Sequence, residues 1–319
     1  MTNVPIEVTD REAPSSARLA AGTRSRGLRD RHLKYLLILP AVFVVIATAI
    51  WPLLQSAILS FREWRLSRSS EPTGWVGFDN YEWAILFEPL FWNSVWVTAL
   101  YTVLTVGLTT LFALGAALLL APGGRLRFTV QTLLILPFAM SPALIGVSFR
   151  FMFNPEFGLF DAFFGAIFPP LANVAWLSDP TLAFAVCVMA DVWGWVPFMT
   201  LVLIGGLAAV PRDSVEAAQV DGASSWRVFR DITLPQLWPV IMIVVILKAI
   251  FSVKTFDQIY MLTQGGPGEA TQTMAYYAYL NGFKYYDMGL AAAVSWLMVI
   301  PMIGLTWAYT KFVFRDRAA

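Results

Sequence analysis

Residues 212–239 read RDSVEAAQVDGASSWRVFRDITLPQLWP, and this polar stretch organises the chain around it. It reads as two short helices joined by a turn. Asp213 is placed to cap the first helix, and Glu216, three residues on, to complete a capping box. Gly222 is the residue that can turn left-handed where that helix stops. Ser224 or Ser225 can cap the second helix, which is expected to end at Pro235. Val215, Ala218, Val220, Trp226, Phe229 and Ile232 are too many apolar side chains for a freely solvated loop. They need a surface to lie on, either a membrane face or a partner.

On both sides of this stretch the composition changes sharply. Apolar blocks at about 181–209 and 239–262 flank it, and four more lie at about 36–61, 95–120, 129–153 and 288–312. Each holds the roughly 20 apolar residues a spanning helix needs. A membrane β-barrel would show short alternating strands instead of continuous runs. The chain is 58% hydrophobic and 13% charged, against about 25% charged in soluble domains. The expectation is an all-α integral membrane protein of six transmembrane helices. Residues 35–319 would form the membrane domain. Residues 1–34 are polar and Arg-rich, without the apolar segment of a cleavable signal, and read as a retained, disordered tail.

Lys and Arg set the orientation. Six spans put both termini on one side, which carries 15 Lys and Arg in its tail and loops, against 4 on the other. Both termini and the 212–239 loop, between helices 4 and 5, are therefore expected to be cytoplasmic. Tyr35, Trp92, Trp176 and Tyr309 near span ends suit interfacial anchoring. Pro137 and Pro142 in the third span, and Gly194 with Pro197 in the fourth, are helix breakers. Such breaks serve packing geometry or a water-lined transport path.

Charges inside spans are costly and usually functional. Asp191 lies ten residues inside one end of the fourth span, about 15 Å deep, and Lys248 in the fifth lies about 14 Å deep from the other face. Both fall near the midplane and are placed to face the interior and to pair, as a structural ion pair or as part of a solute path. Lys254 and Asp257, one turn apart, can pair or snorkel. Trp193, Trp195, Phe251, Phe256 and Tyr260 lie near the same depth, where they either pack or present aromatic planes to the C–H faces of sugar rings. With Asp191, Lys248 and Asp257 they are the candidate substrate-path residues.

Several functions are excluded. One cysteine, Cys187, and one histidine, His32, leave no disulfide framework and no zinc site built on Cys or His clusters. Ser-His-Asp and Cys-His catalysis are equally out of reach. No phosphate-loop motif occurs, so the chain is not expected to hydrolyse ATP. The net charge of +1 argues against nucleic acid as a partner.

Glu216-Ala217-Ala218, Asp221-Gly222-Ala223, Phe229, Ile232, Leu234-Pro235 and Pro239 resemble the EAA loop of binding-protein-dependent ABC import permeases. Leu262-Thr263-Gln264-Gly265-Gly266-Pro267 resembles the segment after the fifth span in carbohydrate permeases of the maltose and glycerol-phosphate type. Trp75-Val76-Gly77-Phe78-Asp79-Asn80-Tyr81 resembles the first permease of that subfamily. The resemblance runs from about residue 36 to the C-terminus. It implies that residues 212–239 hold a coupling helix docked in a cleft of an ATPase subunit. Glu216 would then make the polar contact to the ATPase and Gly222 would permit the turn, with Asp221 a further member of the coupling set. Ala217, Ala218 and Ala223 would allow close approach, with Phe229 and Pro235 completing the motif. Glu216 can serve both this role and the capping of its own helix. Also implied are a second permease as heterodimer partner, two ATPase subunits that use ATP and Mg, an extracytoplasmic solute-binding protein and a bacterial inner-membrane location. The solute would be a sugar, polyol or related hydroxylated compound, carried by alternating access. No cofactor or metal is expected on this chain.

Overall fold

The computed structural model describes residues 26–121, 125–167 and 174–315; residues 1–25 of the polar tail lie outside them. The chain divides into two units, Met1–Ser56 and Ala57–Ala319. The first spanning helix, α1, is Leu37–Leu59, and regular helix extends back to Arg26, inside the stretch read as tail. A short α2 (Asp79–Glu82) and a π turn, Trp83–Phe87, lead into the long α3 (Pro89–Leu120). Then come α4 (Thr129–Ala139) and α5 (Pro142–Met152), followed by α6 (Leu159–Ile167) and α7 (Pro180–Ala208). The loop helix α8 (Arg212–Val220) precedes α9 (Ser225–Val253). After α10 (Asp257–Leu262), α11 (Met274–Tyr279) runs into a π turn, Leu280–Lys284, before α12 (Met288–Arg315). Among the described residues five helices, α1, α3, α7, α9 and α12, are long and apolar enough to cross a membrane, and the α4–α5 pair makes a sixth if it counts as one span.

The third span is not the straight rod expected at 129–153, because α4 and α5 are bent by 93°. Ser141 precedes Pro142 and is driven to extended backbone, ψ 149°. Its hydroxyl oxygen then caps α5 by accepting from the Leu144 N–H at 3.3 Å. The fifth span does not run to residue 262. It stops at Val253, Phe256 leaves helical geometry, and Asp257 opens α10, where a carboxylate favours the helix N-terminus. Pro235 does not end the second loop helix. That helix runs on as α9, through a π turn at Phe229–Thr233 in which the Leu234 N–H bonds the Phe229 carbonyl. A π turn at Ile46–Ile50 precedes Pro52 in α1 in the same way. A proline ring clashes with the carbonyl four residues back, and the wider turn moves that carbonyl aside. The fourth span stays one helix through Gly194 and Pro197.

In the second unit α7 is the central span, with 61% of its apolar window buried. It packs along α3, where Ala113 and Ala117 are fully buried beside Met199 and Leu203. Small residues let helices approach closely in a bilayer, where hydrophobic exclusion between spans is absent. α10 packs on α5 at Gly146, where a Cβ would sit 2.8 Å from the Gln258 carbonyl oxygen.

Candidate functional site

Asp191 on α7 and Lys248 on α9 meet in the interior, with Nζ 2.5 Å from Oδ2, and only 6% and 0% of their side chains exposed. Lys248 also donates to the Ser252 hydroxyl at 2.7 Å, and Ser252 shares a 2.9 Å hydrogen bond with Thr105 on α3. The pair therefore ties three spans together. Removing one partner would leave an uncompensated buried charge. The Tyr101 hydroxyl, fully buried on α3, faces Asp191 and Thr255. The Lys248 ammonium lies 5.2 Å from the Trp195 ring centroid.

Above this pair opens a cavity of about 400 Å³. Of the substrate-path candidates, Asp191, Trp195, Phe251, Phe256 and Asp257 line it. Lys248 sits behind Asp191 instead of on the wall. Trp193 does not line it and packs against Phe149, with ring centroids 5.7 Å apart. Tyr260 is also off the wall, stacked on Phe256 at 5.5 Å. Lys254 and Asp257 form no ion pair among the described residues. The break after Val253 separates them, and the Lys254 ammonium lies 4.3 Å over the Phe251 ring. Wall residues absent from the sequence-based candidates are Phe138, Met140, Pro142, Ile145, Gly194, Lys254, Thr255 and Gln258. Phe138, Met140 and Pro142 arrive through the α4–α5 bend, whose only sequence signal was its prolines. Gln258 is buried and donates to the Cys187 carbonyl at 2.9 Å. The cavity thus combines aromatic faces, carboxylate acceptors and ammonium and amide groups, which suits an uncharged, hydroxyl-rich molecule with apolar C–H faces.

At the far end of α9 lies the 212–239 loop. The expected Asp213–Glu216 capping box does not form. Pro211 occupies the N-cap with no side-chain cap, and Arg212 begins the helix. Asp213 falls in the first turn, where its charge still complements the helix dipole. The other end matches expectation. Gly222 has φ +82°, its N–H bonds the Gln219 carbonyl, and the Ala223 N–H reaches back to Ala218. This is a Schellman stop. Ser224, not Ser225, caps the next helix by accepting from the Arg227 N–H at 3.4 Å. The stop and cap leave Val220 87% and Trp226 67% exposed. Glu216, Ala217, Asp221 and Pro235 are exposed, while Ala218, Ala223 and Phe229 are half-buried. Trp226 and Phe229 pack with ring centroids 5.6 Å apart and planes tilted by 36°. Between α8 and the ends of α3 and α7 runs a groove of about 330 Å³, lined by Arg212, Glu216, Gln219 and Thr233 among others.

The chain has known relatives. Residues 109–315 match the family model described as the binding-protein-dependent transport system inner membrane component. The chain belongs to this family. Among the relatives of this permease is the trehalose/maltose transport system permease protein of Thermococcus litoralis. It is 36% identical over 286 residues, 89% of this chain and 94% of its own length. The sn-glycerol-3-phosphate transport system permease protein of Rhizobium meliloti is 35% identical over 294 residues, covering 89% and 95%. A crystal structure of a bacterial ABC transporter that imports the acidic polysaccharide alginate matches with a TM-score of 0.79. It is 20% identical and covers 90% of this chain and 97% of that one. At that identity the likeness is one of fold. The family and the relatives make the chain a multi-pass permease subunit of an ABC importer, and the ATPase is a separate subunit.

Proposed function

We propose that this permease forms half of the membrane path for a sugar, polyol or related hydroxylated solute, as a first permease of the maltose and glycerol-phosphate type. The observation that carries the reading is the cavity at Asp191, walled by Trp195, Phe251 and Phe256 and placed at the depth of the buried pair. Aromatic planes take the C–H faces of a sugar ring, and the carboxylates of Asp191 and Asp257 accept from its hydroxyls. Lys248 holds Asp191 in position from behind.

Both termini and the α8 loop face the cytoplasm, as the Lys and Arg distribution requires. There Glu216, Ala217, Ala218, Asp221, Gly222 and Ala223 dock into an ATPase subunit, with Phe229 and Pro235 bracing the entry to α9. The exposed Val220 and Trp226 supply the apolar part of that contact. A second permease, two ATPase subunits and an extracytoplasmic binding protein complete the machine. ATP binding closes the ATPases and turns the cavity outward, and hydrolysis returns it inward, each ligand biasing states that already exist. Purification in mild detergent, with mass spectrometry of the bound subunits and an ATPase assay, tests this. An ATPase and a second permease are expected to co-purify. A chain that purifies alone and moves solute in proteoliposomes without ATP would be a secondary carrier.

A further inference from the structure

From Phe256 on the cavity wall, aromatic rings continue outward beyond the end of α9. Phe256 lies 5.0 Å from Tyr279, and Tyr279 stacks on Phe283 at 5.4 Å with planes 24° apart. Tyr260 flanks the run, 5.5 Å from Phe256 and 5.4 Å from Tyr279. Tyr276 backs it, 6.1 Å from Tyr279 with planes 28° apart. These rings come from the N-cap of α10, from α10 and α11 and from the π turn after α11, all following the Val253 end of α9, whereas α8 precedes its Ser225 end.

Core packing accounts for one side of the row only, where Phe256, Tyr260 and Tyr279 rest against the cluster that holds Tyr276. Tyr276 and the neighbouring Tyr277 are buried at 6% and 3%, as core aromatics are, but Phe256, Tyr260 and Tyr279 are only half-buried and Phe283 is 64% exposed. Phe283 owes its position to the π turn Leu280–Lys284, whose Tyr285 N–H reaches back to the Leu280 carbonyl. An inserted residue of this kind re-aims a side chain and often marks a functional position. Burial pushes the Tyr276 phenol up, and the hydroxyl contact with Tyr260 does the same for Tyr279.

We propose that Phe256, Tyr279 and Phe283, flanked by Tyr260, form an entry track on which pyranose rings stack by their C–H faces while passing to the cavity. The track rests on the sugar-permease reading of the cavity. It would take saccharides with a flat apolar face and favour them over linear polyols.

The test is saturation-transfer difference NMR on the purified complex, with trehalose, maltose and methyl β-glucopyranoside as probes and the aromatic protons saturated. Wild type is expected to transfer to the axial C–H protons of at least one probe. The double variant Tyr279→Leu, Phe283→Leu keeps apolar bulk but removes the π faces. It should lose the track's contribution about fivefold, the scale of one aromatic contact, while Tyr279→Phe retains it. Co-purification of the ATPase with each variant checks folding. Transfer unchanged in the Leu double variant, or absent from wild type with all three probes, overturns the track. Trp195→Leu separates the two ideas. Loss of transfer there but not in the Leu double variant leaves the cavity standing and the track refuted. Loss only in the track variants refutes the cavity instead.

Discussion

At the scale of the residue, the buried Asp191–Lys248 pair dominates. Lys248→Met would leave the Asp191 carboxylate buried beside an apolar side chain. Breaking such a pair costs about 3–5 kcal/mol, so the variant should unfold at markedly lower temperature in detergent. Asp191→Asn combined with Lys248→Met should recover most of the loss, because no charge is then stranded. A double variant no more stable than Lys248→Met alone would contradict this account. Gly146 gives a second residue-level prediction. A methyl there meets the Gln258 backbone carbonyl at 2.8 Å, which cannot rotate away. Gly146→Ala should cost about 1–3 kcal/mol, the usual range for overpacking, and shift thermal unfolding accordingly. These residues differ in how far the sequence announces them. Asp191 and Lys248 are visible as charges in apolar blocks, whereas nothing near Gly146 in the sequence announces its contact with α10.

Among the elements, the α8 loop and its entry into α9 carry the coupling proposal. Glu216→Ala with Gly222→Pro should abolish uptake while the chain still inserts and accumulates in the membrane. Normal transport by that double variant would end the docking reading. Pro235 adds a subtler test. With Pro235→Ala the residue regains an N–H that can bond the Asp231 carbonyl, and the π turn can tighten to α-helix. Dropping one residue from the register rotates everything before it by about 100°. The loop would then present a different face, so uptake should fall while ATPase activity continues. Wild-type uptake in membrane vesicles would show that the π turn is incidental. The sequence signalled these breaks through their prolines but misjudged their consequence. Pro235 reads as a stop, because a proline inside a helix ordinarily breaks it. The structure resolves the conflict by widening the preceding turn. Conversely, no proline marks the end of α9 at Val253, and the apolar block at 239–262 reads as continuous for that reason.

For the whole molecule, composition fixed the class before any contact was known. With 58% hydrophobic residues in long blocks, the chain has no soluble alternative. The measurement at this scale is the subunit composition of the purified complex. An importer reading requires an ATPase and a second permease beside this chain, and ATP-dependent accumulation once the complex is reconstituted. The cavity, by contrast, is assembled from α4, α5, α7, α9 and α10 together. Five of its thirteen wall residues are legible as candidates in the sequence because they carry charge or aromaticity near mid-span. Phe138, Thr255 and Gln258 were not, since their side chains are unremarkable for their segments and only the two helix breaks bring them inward.

What the sequence determined alone is what depends on local chemistry: the apolar lengths that make spans, the Lys and Arg asymmetry, the glycine that stops α8 and the two charges at mid-depth. These need no neighbour to be read, because solvent transfer and backbone conformation act residue by residue. What only the tertiary structure decided depends on pairing across helices. It closed Asp191 on Lys248, separated Lys254 from Asp257, turned Trp193 away from the cavity and lined Phe256, Tyr279 and Phe283 into one row. A helix's sequence says which side chains share its face, but which face meets which neighbour follows from packing, and packing is a property of the assembled bundle.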